Sequence, residues 1–247
     1  FGQDLVTKQK RLPCLNKSFS IIAHIVQDSL GEVNVDPDDI QAGIDTLNKN
    51  FANICVSFEI CEFRIIENFQ YDTLSNPEWE ELQVKYHERN RINMFFVSAS
   101  DDAPICGFAT LAGITQVDQG GIVILKGCIS PESKTIPHEM GHYFGLLHTF
   151  EGEGAELVDG SNCVTEGDFI CDTPADPFVV GDPVSQYVSV EDGCRFISPL
   201  QDANGEFYRP DVGNMMSYYP DECRCGFTYE QYIRMAETCE SASEKMW

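Results

Sequence analysis

The chain has 247 residues, 43% of them hydrophobic, enough for one large domain or two subdomains around a sizeable core. A formal net charge of -24 speaks against nucleic acid and anionic membrane surfaces as partners and suits calcium and basic substrates, and no apolar run is long enough to span a membrane. The 11 cysteines are scattered without a CxxC pair, which points to an oxidising compartment, secreted or periplasmic, with several disulfides and at least one cysteine left over.

In chain order, residues 1–17 carry Lys8, Lys10, Arg11 and Lys17, a basic stretch in an acidic protein. Ser18 to Val26 reads as a buried strand, with His24 a structural histidine inside it. Asp36-Pro37 is an N-cap followed by proline at the first helical position, and Ile40, Ile44, Leu47 and Phe51 give the helix its apolar stripe. A second strand spans Val56 to Ile66, a helical stretch starts near Asn76-Pro77, and Ile92 to Val97 is a third, buried strand. Cys106 to Ala112 and Gly121 to Leu125 are the next two strands. Strand and helix alternation up to this point predicts a mixed, mostly parallel sheet with packed helices.

The most informative stretch runs from His138 to His148. Positions four apart share one helix face, so His138 and His142 can aim two imidazoles at one metal, while Glu139 can reach a water on that metal as general base. Ile136, Met140, Tyr143 and Phe144 take the opposite, core-facing side. Gly145 can end the helix in a left-handed conformation and return His148 as a third ligand. Three protein ligands with a fourth position open are the arrangement of a catalytic zinc.

Beyond His148 the patterning fades, and residues 151–213 are rich in Gly, Asp and Pro. Irregular backbone of this length is uncommon unless functional or stapled, for which Cys163, Cys171 and Cys194 are available. Asp168, Asp172, Thr173 and Asp176 form an oxygen-rich cluster suited to calcium or, read plainly, an acidic solvated loop. A final helix begins at Thr228, has Tyr232, Met235, Ala236 and Cys239 on its inner face, and ends near Trp247.

The HExxHxxGxxH pattern resembles the metzincin metalloproteases and, through Thr149-Phe150-Glu151-Gly152, the pappalysin family. Asn214-Met215-Met216-Ser217-Tyr218 is similar to the family's Met-turn, with Met216 beneath the metal, and Phe227-Thr228 with Gln231, Arg234 and Met235 resembles its last helix start. The resemblance implies an α/β (α+β) metzincin-like fold: a twisted, mostly parallel sheet with backing and active-site helices, then an irregular C-terminal subdomain ending in a helix. It divides one catalytic domain at 1–148 and 149–247. It further implies a secreted zinc endopeptidase acting on protein or peptide substrates. Tyr218 would assist at the oxyanion, and Asp221 would favour Arg or Lys just after the cut bond. Gly107, Phe108, Ala109, Thr110 and Leu111, within a stretch reaching Gly113, would form the edge strand that receives an extended peptide. Calcium in the acidic loop matches some family members. Without a signal-peptide pattern after Phe1, the sequence reads as a processed product whose inhibitory N-terminal pro-segment is absent. Two other readings remain: a disulfide-rich peptide-binding module with non-catalytic zinc, which the intact Glu139 disfavours, and a metallo-amidase acting on a non-peptide amide.

Overall fold

A computed structural model describes residues 11–101, 105–111 and 120–241. In chain order the elements are β1 (Lys17–Val26), α1 (Pro37–Phe51), β2 (Val56–Ile66), β3 (Thr73–Leu74), α2 (Asn76–Tyr86), β4 (Ile92–Val97), β5 (Ala99–Ser100), β6 (Gly107–Ala109), β7 (Ile122–Leu125), α3 (Thr135–Tyr143), β8 (Val188–Ser189), β9 (Arg195–Phe196) and α4 (Tyr229–Ser241). The main sheet has the order β2-β1-β4-β7-β6. Its first four strands are parallel, and β6 closes one edge antiparallel to β7.

The sequence explains this arrangement. All six residues of β4 are buried, and β1 is buried from Ile21 to Val26. Strands apolar on both faces belong in the middle of a sheet covered on both sides. One cover is α1, started by the Asp36 carboxylate, which accepts from Asp38 N at 2.9 Å, and by Pro37. Ile40, Ile44, Leu47 and Phe51 are fully buried in the core that α1 shares with α3 and α4. Cutting one such leucine to alanine costs about 2–5 kcal/mol. The other cover is α2. Ser75 donates from its amide and its hydroxyl to the Glu78 carboxylate at the helix start, and Trp79 packs edge-on against Phe95 and Phe108.

Two buried polar groups fix the sheet's ends. Lys126 Nζ donates to Asp72 (2.7 Å) and to the carbonyl of Val26 (2.5 Å). His24 pairs with Asn93 at 3.0 Å and stacks on Phe95, the structural role expected of it; burial lowers its pKa to about 4.

After α3 regular structure gives way to turns around a small core of Phe150, Phe178, Tyr187, Val188, Val212 and Tyr219. Disulfides Cys163–Cys171 and Cys194–Cys223 staple this region, while Cys14–Cys55 and Cys106–Cys128 tie the first half. Cys61, Cys225 and Cys239 are unpaired among the described residues. The edge strand is Gly107–Ala109, shorter than the expected Cys106–Ala112, with Cys106 O just before it accepting from Leu125 N of β7 at 2.8 Å. Its expected last residue, Gly113, Lys8, Lys10 and the expected helix end at Trp247 lie outside the described residues. No described helix is long and apolar enough to cross a membrane.

Candidate active site

His138 and His142 stand one turn apart on α3, whose Ile136, Met140 and Tyr143, with Phe144 just beyond, are buried in the main core. Gly145, at φ +88°, ends the helix. Its N–H donates to the His142 carbonyl (2.8 Å) and the Leu146 N–H donates to the Gly141 carbonyl (3.0 Å). These two bonds are the 5→2 and 6→1 pair of a glycine C-terminal cap, and the cap swings His148 back to the other two histidines. His142 Nε2 lies 3.2 Å from His138 Nε2 and 3.0 Å from His148 Nε2.

The tautomers follow from the outer nitrogens. A carbonyl only accepts, so His138 Nδ1–H donates to Met215 O and His142 Nδ1–H to Leu146 O, both at 2.8 Å. Their Nε2 lone pairs then converge with no proton between them, an arrangement that suits a bound cation. Nitrogens on a tetrahedron with metal–nitrogen bonds of about 2.0–2.1 Å sit roughly 3.3 Å apart, near the observed spacing. Among the described residues this is the one cluster of three or more His, Cys, Asp or Glu able to hold a metal. Burial keeps the imidazoles neutral: His138 lies well below its ordinary value, His142 is lowered, and His148 is lowered to about 3 by burial and then by His142. Neutral imidazole is the form that binds metal.

Glu139 points into the same space. Its Oε2 is buried without a hydrogen-bond partner, and burial pushes its pKa up to about 8 against the opposing pull of Arg224. Tyr218 packs edge-on to His148 (4.7 Å between ring centroids) and lies 5.6 Å from the His138 ring. Glu139 and Tyr218 both line two adjoining cavities. One, about 510 Å³, runs along Thr135, Ile129, Phe178, Asp221 and Arg224. The other, about 320 Å³, runs along Phe108, Ala109, Leu111, His142, His148 and Glu151. β6 forms part of the rim between them and pairs within the sheet only with β7, and Thr110 N donates to Gly121 O at 3.0 Å just past its end.

Met216 is fully buried in the main core, its N–H held by Asn214 Oδ1 at 2.9 Å, and Asn214 is held by Gln231 of α4. Three features went unread in the sequence. A Cβ on Gly141 would overlap the Met216 sulfur, so that glycine lets the Met-turn approach α3; its place inside a helix, where glycine is costly, was the available signal. The second is Arg224, paired with Asp221, its Nη1 facing the Ser217 carbonyl at 3.3 Å. The third is Glu156. Nothing in the local pattern distinguishes these two from ordinary surface charge.

The acidic loop is divided by the structure. Asp168 Oδ2, Thr173 Oγ1 and Glu156 Oε2 are buried without hydrogen-bond partners. Burial raises Asp168 to about 7 and Glu156 to about 7. Asp172 is exposed and accepts from Thr228 Oγ1 (2.7 Å) and Glu230 N (2.9 Å) at the start of α4. Asp176 accepts from Tyr219 OH (2.6 Å) and Thr149 Oγ1 (2.7 Å). Both carboxylates are thus engaged apart from the three free oxygens.

The sequence profile of the peptidase family M43, described as pregnancy-associated plasma protein-A, matches residues 104–240. A second profile, the reprolysin-like metallopeptidase family M12B, matches residues 38–149. An extracellular metalloprotease of Arthroderma benhamiae is 25% identical over 231 residues, covering 89% of this chain and 71% of the relative. One of Colletotrichum graminicola is 30% identical over 207 residues, covering 76% and 63%. Among solved structures, Tannerella forsythia mature mirolysin in complex with a cleaved peptide superposes with a TM-score of 0.62 at 21% identity, over 88% of this chain and 89% of that one. Metalloproteinase-II from Bacteroides fragilis superposes with a TM-score of 0.51 at 8% identity, over 92% and 54%. These structural likenesses bear on the fold, and they match the mixed, mostly parallel sheet with its helices.

Proposed function

This chain belongs to the M43 metallopeptidase family described as pregnancy-associated plasma protein-A, and from that premise we propose that it is a secreted zinc-dependent endopeptidase with Glu139 as general base. The observation that carries the proposal is the convergence of three histidine Nε2 atoms beside an unpartnered buried Glu139 oxygen, at the junction of two cavities. The name "extracellular metalloprotease" borne by its relatives and the four disulfides support secretion.

His138, His142 and His148 would hold the zinc, and when bound it would supply a Lewis acid able to acidify water toward a pKa of about 7 and to polarise a peptide carbonyl. Glu139 accepts the proton of the attacking water and hands it to the departing amine. Tyr218 donates its hydroxyl to the carbonyl oxygen as that oxygen gains charge. Gly107 to Leu111 offer backbone groups along the rim, so an extended substrate can lie there as an added strand. Met216 packs against Gly141 and takes no part in proton transfer.

A calcium ion suits the oxygens of Glu156, Asp168 and Thr173, which are buried and otherwise unsatisfied. Asp172 and Asp176, expected as ligands, have the other partners described above. The family resemblance attaches a preference for Arg or Lys to Asp221, and in this chain that carboxylate is paired with Arg224.

The test is digestion of a denatured protein mixture, with new termini read by mass spectrometry, with and without a zinc chelator. Glu139→Gln should keep its zinc yet lower kcat/KM by roughly 10²–10⁴-fold. Near-normal turnover by that variant, or cuts indifferent to the chelator, would refute the assignment.

A further inference from the structure

The 510 Å³ cavity holds a buried cation that neither the motif nor the family likeness assigns a task. Arg224 is only 10% exposed at its side chain. Its Nη2 pairs with Asp221, and its Nη1 points at the carbonyls of Ser217 (3.3 Å) and Met215 (3.5 Å) in the Met-turn. The neighbouring Cys223 is bonded to Cys194, which pins the segment carrying both charges. The guanidinium is therefore fixed between the turn beneath the histidines and the acid in the pocket.

We infer that Arg224 sets the specificity of this pocket: it cancels Asp221 and makes the pocket select an uncharged, bulky apolar side chain just after the cut bond. The inference rests on the endopeptidase reading and departs from the preference for Arg or Lys implied by Asp221 alone. A substrate cation entering the pocket would find its carboxylate already taken and a second cation beside it. Like charges brought together in a partly desolvated site repel, which lowers affinity. A substrate anion would meet the paired guanidinium, with Glu139 also on the cavity wall. An apolar side chain meets Ile105, Ile129, Phe178 and Val184, and by excluding water it strengthens the ion pair behind it.

The experiment measures binding rather than turnover. Peptide hydroxamates that differ only in carrying Leu, Arg or Glu at the position entering this cavity are titrated calorimetrically into the zinc-loaded protein. Wild type should favour Leu over Arg by at least about tenfold. Arg224→Met keeps the apolar stem and frees Asp221, and it should reverse that order. Asp221→Asn frees Arg224 instead; it should raise affinity for the Glu probe and leave the Arg probe weak. This second variant keeps the inference testable if Arg224→Met does not fold. Wild type favouring Arg, or an unchanged Leu-over-Arg order in folded Arg224→Met, overturns the role of Arg224 and leaves the endopeptidase reading standing. If no hydroxamate binds a protein shown to carry zinc, the endopeptidase reading falls and the pocket assignment falls with it.

Discussion

Gly107 gives the sharpest test of how the edge strand meets the catalytic machinery. A Cβ added there would sit 2.6 Å from the carbonyl oxygen of Val123 and 3.0 Å from both Cγ and Oε1 of Glu139. An ordinary carbon–oxygen contact is about 3.3 Å or more, so the methyl group must gain roughly 0.7 Å. The Val123 carbonyl belongs to β7 inside the sheet and cannot give way. Relief therefore comes from lifting β6 off β7, from moving Glu139, or from both. Overpacking of this kind costs about 1–3 kcal/mol, and at about 2–4 °C per kcal/mol for a chain of this size the Tm of Gly107→Ala should fall by several degrees. Activity should suffer more than stability. A misplacement of about 1 Å at catalytic groups is enough for a 10²-fold loss, so a kcat/KM some 10- to 100-fold below wild type is expected on a fluorogenic peptide. Zinc content should be unchanged, because the three histidines are not displaced. Kinetics, a thermal melt and metal analysis of one preparation decide the matter. A variant within twofold of wild-type kcat/KM, with an unmoved Tm, would refute the reasoning.

Other outcomes follow from the same geometry. Gly145→Ala forces a side chain into φ +88° with Thr238 Oγ1 2.9 Å away; the left-handed backbone alone costs about 1–2 kcal/mol, and the displaced His148 should weaken zinc affinity in a chelator competition, with unchanged affinity counting against the cap. In metal-free protein, burial places Glu156 and Asp168 at about 7, above their ordinary 4.5 and 3.8. Their contribution to stability is full below the ordinary values and lost as pH rises through about 7. Calcium should therefore raise the Tm clearly at pH 8 and little at pH 5, and no calcium-dependent shift at either pH would sink the site. His148 runs the other way, since its value falls from 6.5 to about 3. Its contribution is present above pH 6.5 and lost on acidification through about 3, so a metal-free melt should fall on the acid side as well. Asp172→Ala removes the cap of α4 and should cost about 1 kcal/mol while leaving the calcium response intact; loss of that response would restore Asp172 as a ligand.

The fold and the histidine cluster were legible in the sequence for a physical reason: both are written as local periodicity. β2 and β4 follow the expected limits, β4 because its six buried residues end at the half-buried Arg91 and the exposed Ser98, and α1 starts where Asp36-Pro37 places it. His138, His142, Gly145 and His148 lie within 11 consecutive positions, so one helix turn and one cap suffice to bring them together. The missed features depend on how the backbone folds rather than on apolar periodicity. The Cβ-free space of Gly141 matters only because Met216 comes from 75 positions away, Glu156 gains meaning from Asp168 across a turn, and Asp221 read alone is a free acid until Arg224 folds back onto it. Apolar patterning carries no record of which charge cancels which.

This distinction also separates the two halves of the molecule by what holds them. The sheet and its helices bury a large apolar core and need no ligand to do so. The stretch from Thr149 to Thr228 has few regular hydrogen-bond ladders and depends on point attachments. Thr149 N donates to Met216 O at 3.2 Å, the Met215 carbonyl receives His138, Asn214 pairs with Gln231, and two disulfides close loops. Three of those attachments touch the metal site or its immediate supports. Removing the metal leaves the histidine lone pairs facing one another, which loosens α3 against the Met-turn and, through it, the segment carrying Asp221 and Arg224. Zinc binding should therefore protect backbone amides of residues 210–226 from hydrogen exchange as strongly as those of α3, while β1 and β4 exchange at the same rate with and without metal. Protection confined to α3 would mean that the Met-turn stands on its own, and the pocket would then keep its shape without the metal.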